Sequence, residues 1–95
     1  MQEITIKQLL KLNNPQLIDI REQSERNEWH IKESIHIPRW ELIWRLDELD
    51  INKRVYLICA TGNRSDFMCL LLDMEWYNAI NVIWGIELFN KIKKW

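Results

Sequence analysis

The run RVYLIC, residues 54–59, is apolar almost throughout. A strand with no polar face needs cover on both sides, and that is the pattern of a central strand in a parallel sheet. Its neighbours fit the same plan. EITI (3–6) reads as a short strand, with Thr5 able to cap a helix starting near Ile6 and carrying Leu9, Leu10 and Leu12 on its inner side. Asn13-Asn14-Pro15 breaks that helix. QLIDIR (16–21) is a buried strand, EQSERNEW (22–29) a polar helix or turn, and SIHIP (34–38) a strand with Ile35 and Ile37 on one face and Pro38 at its end. WELIWRLDEL (40–49) places Leu42, Ile43, Leu46 and Leu49 near helical spacing. SDFMCLLLDM (65–74) reads as a buried helix, AINVI (79–83) as a last strand and GIELFNKIKKW (85–95) as a last helix. Strands alternating with helices along the whole chain predict an α/β fold with a parallel sheet covered on both faces.

A chain of 95 residues, without linker, repeat or low-complexity stretch, is expected to form one domain over 1–95. At that size a chain buries roughly 60–70% of its unfolded surface, enough for a core without disulfides or metals. The net charge of -1 offers no electrostatic footprint for nucleic acid or an anionic membrane. No apolar run approaches the ~20 residues of a membrane span, and MQEITIKQLL lacks the basic flank and cleavage site of a secretory signal. Two cysteines make no disulfide framework, so a reducing cytoplasmic setting is expected.

Cys59 ends the most buried candidate strand, and the carboxyl ends of parallel strands are where functional groups gather. Ala60-Thr61-Gly62-Asn63 then leads into Arg64 and Ser65 at a helix start. Backbone N–H groups at such a start have no partner within the helix and favour an anion. Gly62 lets the loop curl with its amides inward, and Arg64 adds positive charge. A thiol in that setting ionises easily, with a pKa of roughly 3.5–7.5. The loop therefore reads as an anion cradle with a thiolate at its floor.

Cys-x-x-Gly-x-Arg-Ser resembles the active-site loop of rhodanese-like sulfurtransferases. LIDIRE is similar to the family's Asp-x-Arg strand at Asp19 and Arg21. EWHIKESIHIP matches its His-Ile…Ile-Pro segment at His30, Ile31, Ile37 and Pro38. NVIWGI sits where the family has a Gly-Gly pair, matched only at Gly85. The resemblance spans nearly the whole chain, with its motifs in order. It implies a rhodanese-like fold, a mostly parallel five-stranded sheet flanked by helices on both faces. It implies that Cys59 takes a sulfane sulfur from a donor such as thiosulfate, holds it as a persulfide and passes it to cyanide or a thiol, which could belong to a protein. No cofactor is implied. The alternative from another class is a rhodanese-like binding or regulatory module without turnover. The spacing between Cys59 and Arg64 is one residue shorter than in protein tyrosine phosphatases, which suits a single sulfur atom better than a phosphate.

Plainer roles are read for the remaining candidates. Cys69, among Met68, Leu70 and Leu71, is a packing residue. Asp19 and Arg21 form a strand-end ion pair, His30 is structural, and Ser65 caps the helix, with donation to the persulfide as its alternative role. Arg39, Arg45 and Arg54 are surface charges, one of which could attract an anionic donor. His30 and His36 lack metal-ligand spacing with the cysteines, so no metal site is expected. One composition feature remains: the chain has two glycines and six tryptophans, where a typical chain is about 7% glycine. Trp29, Trp76 and Trp84 fall where the related family commonly has glycine, and Trp40 is read as a fourth such site. Two explanations are open: UGA codons, read as glycine in some genetic codes and as tryptophan in others, or a divergent domain that fills its turns with aromatic residues.

Overall fold

The computed structural model describes residues 2–93. Strands β1 (Gln2–Ile4), β2 (Gln16–Asp19), β3 (Ile35–His36), β4 (Val55–Ile58) and β5 (Ala79–Val82) form one sheet in the order β1-β5-β4-β2-β3. All four pairings are parallel. Helices α1 (Ile6–Leu10), α2 (Gln23–Glu28), α3 (Arg39–Leu42), α4 (Asn63–Met74) and α5 (Gly85–Lys93) connect or follow them, with a 3-10 turn at Leu46–Glu48. β4, the strand with no polar face, is central, and all four of its residues are buried.

Alternation along the strands divides the core in two. Val55 and Leu57 face one side with Ile18, Leu42, Met68, Cys69 and Leu72, beneath α3 and α4. Tyr56 and Ile58 face the other with Leu17, Ile6, Leu9, Ile86 and Phe89, beneath α1 and α5. The sheet is thus covered on both faces, as the apolar run of β4 required. Leucine and isoleucine side chains buried this way contribute about 1.5–3 kcal/mol each.

Local signals explain the helix ends. Thr5 caps α1 as expected: its Oγ1 accepts from Gln8 N at 3.2 Å, and Gln8 Oε1 accepts from Thr5 N at 2.9 Å. The inner face of α1 is Ile6 and Leu9, whereas Leu10 and Leu12 are exposed: Leu10, next to Leu9 on the helix, is turned off that face, and Leu12 lies beyond the helix end. Ile35 and Ile37 differ in the same way: β3 is an edge strand, leaving Ile35 exposed while Ile37 is fully buried. The amphipathic stretch 40–49 does not form one helix. It divides into α3 and the 3-10 turn, Ile43 is exposed, and Arg45 bonds Glu48 and Glu41 across the break. α4 begins two residues earlier than read, at Asn63, and is buried on one side only, at Ser65, Met68, Cys69 and Leu72, with Phe67 and Leu70 exposed. The last two residues of the expected terminal helix lie outside the described residues.

The end of α4 has a distinctive backbone. Tyr77 N donates to Leu72 O and Trp76 N to Asp73 O, both at 3.1 Å, and Trp76 has φ 69°. This is the Schellman arrangement, with Trp76 at the left-handed position usually taken by glycine. Trp84 (φ 67°) and Gly85 (φ 55°) form a second left-handed step between β5 and α5. Trp29 and Trp40 differ. Trp29 is extended (φ -172°) and its ring lies 5.3 Å from that of Phe89. Trp40 lies within α3, where its indole N–H donates to Glu22 Oε1 at 2.6 Å. Of the four tryptophans read as glycine sites, only Trp76 and Trp84 stand in a conformation that favours glycine.

Candidate active site

Cys59 follows directly on β4, and the chain turns there so that Ala60-Thr61-Gly62 leads into α4. Gly62 (φ 95°) makes the turn that lets its own N–H point back at the sulfur. Gly62 N donates to Cys59 Sγ at 3.1 Å and Ser65 N at 3.4 Å. Ser65 Oγ lies 3.3 Å from Sγ. Burial alone would push the thiol pKa up, but these contacts with Ser65 and Gly62, and one with the Thr61 backbone, outweigh it and bring Cys59 below the ordinary thiol value. Two backbone amides thus face the sulfur, and one of them, Ser65 N, lies just beyond the loop of residues 60–64. Ser65 is not the helix cap. Gly62 occupies that position, while the Ser65 side chain is wholly buried and turned toward Cys59 and Asn81. A hydroxyl so close behind the loop is pulled into the strand-end polar network and away from its own helix end.

The loop is also held from behind. Ile86 N donates to Cys59 O at 2.8 Å and Glu87 N to Ala60 O at 3.0 Å. The free amides at the start of α5 thus satisfy two loop carbonyls, while those at the start of α4 face the sulfur. Gly85 permits this approach: a Cβ there would stand 2.3 Å from Cys59 O and 2.6 Å from Ala60 O.

Arg64 is placed beside this loop, but its charge is shared. Its NH1 and NH2 bind Glu25 Oε1 and Oε2 at 2.7 and 2.8 Å. The Arg64 guanidinium holds the Glu25 carboxyl down at about 2. Glu25 was not singled out from the sequence, where it is one acid in a polar helix. It is fixed in turn by the Asp19–Arg21 pair. Arg21 Nε and NH2 bind Asp19 at 3.0–3.3 Å, and NH2 also reaches Trp29 O at 2.6 Å. Arg26 adds a second cation on Asp19 at 3.3 Å. The Asp-x-Arg strand end therefore anchors α2, and α2 presents Glu25 to the loop. His30 is exposed, with Nδ1 3.2 Å from Arg26 O, and stands apart from the sulfur's partners. Asn63 is the exposed first residue of α4.

Cys69 is buried in the core beside α4, and burial pushes its thiol up to about 12. Two cysteines in one small domain are thus set in opposite directions by their surroundings. Trp84 lines a surface cleft of about 340 Å³ with Thr61, Gly62, Asn63, Asp66 and Asn81. Among the described residues no group of three or more His, Cys, Asp or Glu side chains could hold a metal, and no helix is long and apolar enough to cross a membrane.

A family model described as a rhodanese-like domain matches residues 5–92. The chain is similar to YtwF of Bacillus subtilis (strain 168), which carries the name sulfurtransferase, at 34% identity over 70 residues. That match covers 74% of this chain and 68% of YtwF. It is also 34% identical over 72 residues to YrkF of the same bacterium, named as a sulfur carrier protein, covering 75% of this chain but only 39% of YrkF. Among solved structures, a rhodanese-related protein from Thermoplasma volcanium superposes with a TM-score of 0.90 at 29% identity, covering 96% of this chain and 92% of that one.

Proposed function

The chain belongs to the rhodanese-like domain family, and on that premise we propose that it is a sulfurtransferase in which Cys59 carries the sulfur. One observation supports this reading above the others: a strand-end thiol that receives backbone N–H groups from Gly62 and Ser65 and is thereby favoured as an anion. The Cys59 thiolate attacks the outer sulfur of a donor such as thiosulfate. A new S–S bond forms, the donor's S–S bond breaks with its electron pair, and sulfite leaves. The product is a Cys59 persulfide whose terminal sulfur carries the negative charge. The loop amides stabilise that charge without moving, as preorganised donors do. An acceptor thiolate or cyanide then attacks the terminal sulfur, and the pair of the broken bond returns to Cys59 as thiolate. Cys59, cradled by residues 60–64 and Ser65, is the catalytic residue; Asp19, Arg21 and His30 are supports. The acceptor is a small thiol or a thiol on a protein. A thiol that must cycle between free and persulfide forms suits a reducing cytoplasm.

The test is an intact mass after incubation with thiosulfate. The native chain and Cys69→Ser should gain the mass of one sulfur, and Cys59→Ser should gain none. Loss of the added sulfur in Cys69→Ser alone would overturn the assignment. A binding module without turnover is the second reading, favoured by Cys59 being fully buried and by Glu25 occupying Arg64. That reading requires the native chain to take up no sulfur from thiosulfate.

A further inference from the structure

Asn81 lies on β5 with only 2% of its surface exposed and its side chain directed at the loop. Its Nδ2 donates to Gly62 O at 3.2 Å, and its Oδ1 is 2.5 Å from Ser65 Oγ. The carbonyl of Gly62 can only accept, so it fixes which end of the amide faces which partner. Oδ1 also can only accept, so the single hydroxyl proton of Ser65 lies on that contact. Ser65 Oγ therefore turns a lone pair toward Cys59 Sγ, 3.3 Å away. A neutral thiol fits this arrangement by donating S–H to Oγ. An anionic sulfur does not, unless Ser65 swings its proton onto sulfur and leaves Asn81 Oδ1 buried without a donor.

We propose that Asn81 is a positioning residue for the sulfur chemistry: it competes with Cys59 for the Ser65 proton, so that Ser65 gives that proton to sulfur only once sulfur is an anion. The proposal rests on Cys59 being the sulfur carrier. The titratable groups around the network are Arg64, paired with Glu25 and near Glu22, then Asp66 and Cys69 on α4, Glu3 beside Asn81 on β1, and the Asp19–Arg21 pair at the end of β2. Replacing Asn81 alters none of them directly.

The test is the pH midpoint of Cys59 alkylation, read by mass on the full chain. Asn81→Leu frees the Ser65 proton for sulfur and should lower the midpoint by about one pH unit. In a Ser65→Ala background the same substitution should move nothing. Asn81→Asp, a stronger acceptor for the Ser65 proton, should raise the midpoint more with Ser65 present than in Ser65→Ala, and this difference serves if the leucine variant fails to fold. An equal shift with and without Ser65 would overturn the proposal, because the asparagine would then act by holding the Gly62 carbonyl. So would a midpoint that rises in Asn81→Leu. Sulfur uptake from thiosulfate is measured separately on the native chain. Its failure would remove the transfer reading while leaving the alkylation result interpretable.

A different observation carries a second inference. Trp76 and Trp84 are left-handed, at φ 69° and 67°, and the residues are 88% and 66% exposed. Exposure of that order leaves little packing to offset a conformation that disfavours every bulky side chain. We infer that both positions are glycine in the protein as its native host makes it, each encoded by UGA. Trp29 and Trp40 are outside this inference, since their backbones are extended and helical and their rings have partners. Sequencing codons 76 and 84 in the gene and weighing the tryptic peptides of the natural protein tests it. UGA at both, with glycine masses, is expected. UGG at either, or a tryptophan mass, overturns it.

Discussion

Cys59 and Cys69 share one side of the sheet, yet their thiols are shifted oppositely, because only Cys59 has N–H groups aimed at its sulfur. Iodoacetamide should therefore alkylate Cys59 with a midpoint below the free-thiol value of about 8.5, while Cys69 stays unmodified in the folded chain. Peptide mapping across a pH series checks both halves at once, and a Cys59 midpoint at or above the free value would remove the activated thiol. The loop was legible in the sequence because Cys59, Gly62, Arg64 and Ser65 are near neighbours whose types suit a strand-to-helix turn. Glu25 was not, because it meets Arg64 across 39 positions of chain. The orientation of Ser65 was misread for a related reason: its partner Asn81 lies 16 positions on, in another strand.

At the scale of elements, the link between α2 and the loop is an ion pair with a pH signature. The Glu25 pKa is lowered from 4.5 to about 2. A carboxylate lowered on folding stabilises the fold fully above its unfolded value and loses that contribution as pH falls through the folded one. The stability contributed by the pair should thus be intact above about 4.5 and fade as pH falls toward 2. Glu25→Gln should melt below the native chain at neutral pH, with the gap closing across that interval. A gap that is constant with pH would mean the pair contributes nothing through charge. α4 makes a separate prediction at its C-terminal turn. Trp76→Gly relieves a left-handed strain of roughly 1–2 kcal/mol, and at about 4–8 °C per kcal/mol the melting temperature should rise by several degrees. Trp29→Gly should lower it, since that ring packs on Phe89 and its backbone is extended. Calorimetry of the two variants side by side decides the matter. The helices with clear caps or breakers were legible. The stretch 40–49 was not, since its apolar spacing fits a helix while the ion pairs of Arg45 stabilise a bend.

For the molecule as a whole, the order of strands and helices followed from β4: an entirely apolar strand demands two covering layers, and alternation of elements supplies them. What local pattern could not convey was that the last helix belongs to the sulfur loop. The carbonyls of Cys59 and Ala60 are satisfied by Ile86 N and Glu87 N. During synthesis, residues 59–62 leave the ribosome well before residues 85–93, so the loop emerges with two carbonyls still open to water. Its thiol should behave as an ordinary one until α5 docks. α5, which follows the loop in the chain, is in this sense the element that completes the loop's hydrogen bonding. A chain stopped after residue 84 should alkylate with the midpoint of free cysteine and gain no sulfur from thiosulfate. Adding back a peptide of residues 85–93 should restore part of both properties, and a truncated chain that loads sulfur normally would show that the loop sets its own shape.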